Sequence, residues 1–115
     1  MTTAREALER QRAELVDELH AAERDLAELR AARGEANADD EHDPEGATLT
    51  GQWSALHGIA ESLRARVAET DAALDRVAAG TYGTCRRCGR PIAPARLEAR
   101  PSADLCIDCA RLAAP

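Results

Sequence analysis

Four cysteines near the end of the chain carry its clearest chemical signal. Cys85 and Cys88 form one pair with two intervening residues, and Cys106 and Cys109 repeat that spacing seventeen residues later. Each C-x2-C pair can turn back on itself and present two sulfurs to one metal. Four thiolates select a soft tetrahedral ion, with zinc preferred and iron as the main alternative. The spacing therefore predicts one structural Zn²⁺ bound by all four cysteines.

A site of this kind is closed, because four cysteines leave no position for a water or a substrate. Zinc binding contributes on the order of 10 kcal/mol to folding, which can replace a missing apolar core. The sequence holds no Ser/His/Asp set and no glycine-rich phosphate loop, and its histidines (His20, His42 and His57) are not needed as ligands. We therefore expect a protein that is not an enzyme.

Five arginines surround the cysteines and make this part of the chain basic. One interpretation is that they offset the net charge of −2 that four thiolates and a zinc ion carry. The other is that they contact an acidic partner surface or a phosphorylated ligand. The five arginines are Arg86, Arg87, Arg90, Arg96 and Arg100.

Two long helices are predicted ahead of the cysteines. The first spans residues 3–33, where Thr3 and Glu6 fit a capping box and no proline or glycine occurs before Gly34. Arg12 occupies one position of its apolar seam. The other seam positions are Leu8, Leu15, Leu19, Ala22, Leu26 and Leu29.

The second predicted helix has a clearer apolar repeat, in which spacings of four and three residues alternate over four heptads. The repeat consists of Leu49, Trp53, Leu56, Ala60, Leu63, Val67, Thr70, Leu74 and Val77. Gly80 then provides a helix stop. Because a short loop joins the two helices, we expect a long antiparallel coiled-coil hairpin within one chain, with a homodimeric coiled coil as the alternative.

The composition of the chain changes between the two predicted helices and the cysteine-rich segment. The chain has 115 residues, 26 of them alanine, and a net charge of −6. Residues 1–79 carry nine arginines and eighteen acids, whereas residues 80–115 carry six arginines and three acids. We predict a mainly α protein, with a coiled-coil hairpin over 1–79 and a small C4 zinc-finger module with a short C-terminal helix over 80–115.

The sequence also excludes several classes of protein. No apolar run approaches the roughly 20 residues that a membrane span needs, and no secretory signal follows Met1. The acidic balance argues against a protein that coats nucleic acid through its phosphates. These observations predict a cytoplasmic protein in a reducing compartment, where disulfides are uncommon.

The predicted loop between the helices, residues 34–46, is acidic and contains no basic residue. Asp43 before Pro44 fits an N-cap and first-turn pair for the second helix, and the other acids can simply be solvated. The alternative is a functional tip that offers its acids to a metal ion or a basic surface. The candidate residues of this tip are Asp39, Asp40, Asp43 and Glu45.

The cysteine-rich segment resembles the zinc finger of the DksA/TraR family at non-ligand positions as well. The likeness covers Thr81 to Gly89, Ile92, Arg96 to Pro101 and Ala103 to Cys109. The heptads and the acidic loop are similar to that family's hairpin. The resemblance implies a bacterial regulator that binds RNA polymerase directly rather than DNA. It also implies that the hairpin enters the secondary channel of the polymerase and modulates initiation.

The family's site residues carry over only in part. Asp43 matches the first of two tip aspartates, whereas Gly46 stands at the second and Thr48 at the alanine that follows. On the finger, Arg100 matches a basic family position, and it is a candidate partner contact together with Arg96.

Some members of the family cooperate with guanosine tetraphosphate. Here Ala110 stands where a lysine is expected and Glu69 replaces a basic residue of the second helix. We therefore expect a monomer that binds RNA polymerase, without guanosine tetraphosphate, a membrane or a specific DNA sequence as a partner. Two alternatives stay open, a structural or stress-related adaptor that can be a homodimer and a thiol-based redox sensor.

Overall fold

Two long helices, followed by a small finger, make up the part of the chain that the structure describes. The computed structural model describes residues 2–39 and 44–113, with side chains described for 2–34 and 50–113. Its helices are α1 (Ala4–Asp39), α2 (Pro44–Ala79), α3 (Pro94–Ala99) and α4 (Ile107–Ala113). The only pairing of extended backbone in these ranges is an isolated antiparallel bridge between Thr84 and Pro91. The predicted fold, a long helix pair with a C4 module and a short C-terminal helix, is confirmed.

Thr3 caps the start of α1 as predicted, but the Glu6 carboxylate accepts from the Thr3 hydroxyl and not from the Thr3 backbone amide as in a full capping box. The amide of Glu6 donates to the Thr3 hydroxyl oxygen at 3.1 Å, and that hydroxyl donates to the Glu6 carboxylate at 3.1 Å. The Glu6 amide, one of those that a helix start leaves without a partner, is bonded in this way, and the Ala7 amide makes the first regular bond of the helix by donating to the Thr3 carbonyl.

The loop between the helices is shorter than the predicted 34–46, because α1 continues to Asp39 and α2 begins at Pro44. A glycine inside a helix costs only about 1 kcal/mol relative to alanine, and Gly34 is followed by the helix formers Glu35 and Ala36. The helix therefore passes through Gly34 rather than ending there. The predicted N-cap Asp43 lies outside the described residues.

The chain divides into two compact units, which we name the finger unit and the hairpin unit. The finger unit consists of residues 1–13 and 67–115, and the hairpin unit consists of residues 14–66. The compact unit that contains the cysteines therefore includes segments of both long helices, whereas composition marks only the end of α2.

Within the hairpin unit, α1 and α2 share an apolar seam. Its most buried residues, all at most 7% exposed, are Leu15, Ala22, Leu26, Ala60 and Leu63. Trp53 and Leu56 of the predicted repeat are half-buried. At the edge of the seam, Arg64 lies 3.4 Å from the Glu23 carboxylate and joins the two helices.

Within the finger unit, Leu8, Thr70 and Ala73 are fully buried. Arg12, at its seam position, stays half-exposed because its guanidinium reaches out to the Asp71 carboxylate. The hydrogen bond from Arg12 to Asp71, reinforced by their opposite charges, raises the pKa of Arg12. A polar residue in the seam is thus compatible with helix packing here.

A Schellman motif ends α2 where the sequence predicts a stop. Gly80 has a φ of 77°, the left-handed region in which glycine is unstrained. The Gly80 amide donates to the Val77 carbonyl at 3.2 Å and the Thr81 amide donates to the Arg76 carbonyl at 2.9 Å. This turn leads the chain directly into the finger.

None of the described helices is both long enough and apolar enough to cross a membrane.

Candidate metal centre

The four cysteine sulfurs converge on one point of the finger unit. The Sγ atoms of Cys85, Cys88, Cys106 and Cys109 all lie within 4.8 Å of one another. The sulfurs of Cys88 and Cys106 are 3.8 Å apart. Sulfurs at the corners of a tetrahedron, each about 2.3 Å from a central zinc ion, lie about 3.8 Å from each other. The geometry of the cluster therefore suits a four-coordinate zinc ion.

The first cysteine pair is presented by a tight turn. The Cys85 amide donates to the Arg90 carbonyl at 2.8 Å, and the Gly89 amide donates back to the Cys85 carbonyl at 3.0 Å. Gly89 makes this turn possible because its φ is 75°, where a side chain would be strained. Beside the turn, the Ile92 amide donates to the Gly83 carbonyl at 2.8 Å, which fixes the antiparallel bridge.

The second cysteine pair is presented by the start of α4. Cys106 immediately precedes the helix and Cys109 lies in its first turn. The Cys109 amide points at the Cys106 sulfur, with an N···S distance of 3.5 Å. A hydrogen bond of 2.8 Å from the Arg86 amide to the Asp104 carbonyl joins the two turns.

A small apolar cluster supports the metal site. Cys85, Ile92 and Cys109 are 1%, 3% and 6% exposed, and the half-buried Leu97 and Leu105 pack against them. Cys88, in contrast, lies at the surface. So few apolar side chains cannot hold a fold by themselves, which is the situation in which a bound metal replaces a core.

Four thiols this close do not ionise independently. Backbone hydrogen bonds from Cys106 and then Cys88 lower the pKa of the Cys85 thiol to about 6. Hydrogen bonding with the Cys106 side chain, followed by burial, raises the pKa of Cys109 to about 12. The bare cluster therefore favours a mixture of thiolate and thiol, whereas a divalent cation stabilises four thiolates together. The donor chemistry fits zinc.

The two arginines predicted as partner contacts have internal roles. Arg96 Nε donates to the Leu105 carbonyl at 2.8 Å, next to the ligand-bearing turn. Arg100 lies 3.6 Å from the Glu69 carboxylate and remains 60% exposed. Both line a groove of about 600 Å³ in the finger unit, together with two further arginines, Arg76 and Arg86. Their role in partner binding stays a prediction.

The structure does not gather the predicted tip acids into a described site. Asp39 is the last residue of α1 and Glu45 the second of α2, and their side chains are not among those described. Asp40 and Asp43 lie outside the described residues.

Sequence reasoning did not find two contacts that hold the segment before Cys106. The Tyr82 hydroxyl donates to the Pro101 carbonyl at 2.8 Å, and Arg76 Nη2 donates to the Ser102 carbonyl at 3.4 Å. It also missed the short helix α3, which begins with Pro94 at its first turn. The proline was the available signal, since proline is favoured at the start of a helix.

A paired-helix scaffold that carries four clustered cysteines defines a helical C4-type zinc finger protein. The family model described as the prokaryotic dksA/traR C4-type zinc finger matches residues 80–113. The solved structure of transcription factor DksA2 from Pseudomonas aeruginosa is similar over 95% of this chain and 78% of that chain, with a TM-score of 0.78 and 29% identity.

Two curated relatives are named RNA polymerase-binding transcription factor DksA. The protein from Haemophilus influenzae is 51% identical over 43 residues, which is 37% of this chain and 30% of the relative. The protein from Escherichia coli K12 is 46% identical over 50 residues, which is 44% of this chain and 33% of the relative. The matched segments therefore span about a third of the length of these relatives. Residues 80–113 therefore form a C4-type zinc finger of the DksA/TraR family, and this finger carries one structural zinc site.

Proposed function

We propose that this chain is a zinc-containing transcription regulator that binds RNA polymerase directly. In this proposal the zinc ligands are Cys85, Cys88, Cys106 and Cys109. The observation that carries it is the likeness to DksA2 over 95% of the chain, which includes both the helix pair and the finger. The proposed partner, RNA polymerase, is taken from the names of the curated relatives.

The helix pair is the part that we propose enters the secondary channel of the polymerase and modulates initiation. The tip acids Asp39, Asp40, Asp43 and Glu45 would then meet the polymerase, with Asp43 at the first family aspartate. In the finger unit, Arg100 keeps 60% of its side chain exposed and is the better placed of the two arginines for a partner. Arg96 instead positions the turn that carries Cys106.

Binding to purified core polymerase tests this proposal. The zinc-loaded chain is immobilised, and retained polymerase is measured for the wild type, for Asp43→Asn and for Asp25→Asn, an exposed acid of α1 with the same change of charge. We expect the wild type and Asp25→Asn to retain the same amount of polymerase. The three proteins are also compared in a transcription assay on a polymerase-dependent template. There we expect Asp43→Asn to differ in its effect from the wild type and from Asp25→Asn. Absence of binding by the wild type removes the proposal. Equal transcription effects for all three proteins remove the role of the tip.

We further propose a cytoplasmic monomer that does not use guanosine tetraphosphate. The helix seam supports the monomer, since α1 and α2 bury Leu15, Leu26 and Leu63 within one chain. Light scattering distinguishes it from a homodimeric adaptor, for which a stable dimer of twice 12.3 kDa is required. The carboxylate of Glu69 beside Arg100 and the uncharged Ala110 support the absence of the nucleotide.

A further inference from the structure

Residues 101–105, which we name the lead segment, connect α3 to the second cysteine pair and lie in neither a helix nor a strand. Four backbone carbonyls of the lead segment accept hydrogen bonds from donors elsewhere in the finger unit. These bonds hold a segment that has no regular structure of its own. They run from the Tyr82 hydroxyl to Pro101, from Arg76 Nη2 to Ser102, from the Arg86 amide to Asp104, and from Arg96 Nε to Leu105.

The last of these bonds lies next to a metal ligand. Arg96, a half-buried residue of α3, donates from Nε to the Leu105 carbonyl at 2.8 Å. That carbonyl and the Cys106 amide belong to the same peptide unit, which is planar. A bond that fixes the carbonyl therefore restricts how the chain enters Cys106, and with it the position of the Cys106 sulfur.

Arg76 reaches the lead segment from α2, which lies ahead of the zinc-finger segment 80–113. Its Nη2 donates to the Ser102 carbonyl at 3.4 Å, and Ser102 is only 9% exposed. This bond is longer than the Arg96 bond and lies farther along the chain from Cys106. We therefore expect Arg76 to have the smaller effect on the metal ligands.

We infer that Arg96 and, more weakly, Arg76 are positioning residues for the metal, which set the zinc affinity of the finger by holding the lead segment. Contacts one step removed from the metal ligands typically change metal affinity about 10- to 100-fold when they are lost. An arginine that only offsets the charge of the metal site would act through its charge alone. A bond from Nε to a carbonyl requires, in addition, the planar guanidinium group.

The inference rests on the four cysteines as the zinc ligands and does not depend on whether the chain binds RNA polymerase. Competition for Zn²⁺ between the full chain and a chromophoric chelator measures the affinity. Arg96→Gln should lower the zinc affinity about tenfold and Arg76→Gln about threefold. Arg96→Lys keeps the charge but not the guanidinium group, so it should lower the affinity as much as Arg96→Gln does.

Arg87→Gln is the matched control, because it removes the same charge from an exposed side chain between Cys85 and Cys88. Its zinc affinity should stay within about twofold of the wild type, since water screens an exposed charge. An equal loss of affinity in Arg87→Gln, or full affinity in Arg96→Lys, would show that charge alone matters and would overturn the inference.

The absorption spectrum of bound Co²⁺ separates positioning from a general loss of stability. The ligand-field bands of Co²⁺ depend on the directions of the four sulfurs around the ion. At saturating Co²⁺, Arg96→Gln should shift these bands, whereas a variant that only loses stability should give the wild-type spectrum. A wild-type spectrum or wild-type zinc affinity for Arg96→Gln removes this inference alone. Failure of the wild type to bind Zn²⁺ removes the proposed ligands as well.

Discussion

Arg100, the residue that follows α3, lies 3.6 Å from the carboxylate of Glu69 on α2, and the two side chains form an ion pair. Both residues line the groove of about 600 Å³ that also contains Arg76, Arg86 and Arg96. Both side chains are about half exposed, so water screens the pair and its effect on stability is small. The Glu69 carboxylate instead lowers the positive charge of the groove, because it lies among four guanidinium groups.

Replacing this carboxylate with a cation should create an anion site. Glu69→Lys removes one negative charge from the groove and adds a positive one, so we expect affinity for guanosine tetraphosphate to rise at least about tenfold over the wild type. Equilibrium binding of the labelled nucleotide measures the change. Glu28→Lys, an exposed residue of α1 in the hairpin unit, serves as the charge-matched control and should have no effect. Tight nucleotide binding by the wild type would contradict the prediction.

Zinc removal should unfold the finger selectively. The chain has one tyrosine, Tyr82, in the finger unit and one tryptophan, Trp53, in the hairpin unit. A strong chelator should therefore change tyrosine fluorescence, since the finger loses on the order of 10 kcal/mol of metal-linked stability. Tryptophan fluorescence should stay nearly constant, because the seam of the hairpin unit holds together without metal. Its buried residues include Leu15, Leu26 and Leu63. Cys85→Ser should reproduce the chelator result, and retention of the tyrosine signal without zinc would contradict it.

The Tyr82 hydroxyl should make the finger sensitive to alkaline pH. Partial burial raises the pKa of Tyr82 above its ordinary value of 10.0, although the nearby charge of Arg76 opposes the shift. The folded state thus holds the phenol proton to higher pH than the unfolded state does. The stabilisation is fully present below pH 10 and is lost as pH rises through the raised pKa.

Ultraviolet titration of the phenolate and chelator-induced unfolding at several pH values measure this effect. Tyr82→Phe removes the 2.8 Å bond to the Pro101 carbonyl and should destabilise the finger by about 1 kcal/mol at neutral pH. The loss of stability above pH 10 should also be smaller in this variant. An unchanged pH profile in Tyr82→Phe would show that other groups cause the alkaline loss.

Two glycine-to-alanine changes should have opposite effects. Gly89 has a φ of 75°, so Gly89→Ala strains the first cysteine turn by roughly 1 kcal/mol and should lower zinc affinity about fivefold. Gly58 lies inside α2, and a Cβ placed there meets no atom within 4 Å. Gly58→Ala should therefore stabilise the hairpin unit by about 1 kcal/mol. Competition with a chromophoric chelator measures the first change and thermal unfolding the second.

Periodicity located the helix seam because burial in a two-helix packing follows the heptad. Every described member of the α2 repeat from Trp53 to Val77 is buried or half-buried. Ala73, which lies outside that repeat, is nevertheless fully buried. It belongs to the finger unit, where elements outside the coiled coil also cover α2, and a heptad pattern contains no information about them.

The zinc centre could be predicted at the level of ligands, because C-x2-C spacing fixes how two sulfurs turn toward one ion. Its polar supports could not. Arg76 and Ser102 are 26 residues apart and Tyr82 and Pro101 are 19 apart, and their contacts depend on how the finger packs on α2. The end of α1 was misplaced for a different reason, since one glycine was given more weight than the helix formers that follow Gly34.

The composition of the finger unit sets the order in which the nascent chain can fold. Residues 1–13 leave the ribosome well before residue 67, where the rest of their unit begins. The intervening hairpin unit depends on contacts within residues 14–66 and can form earlier during translation. Capture of the metal ion by the complete ligand set must wait until Cys109 has emerged, so the finger unit is completed after the hairpin unit.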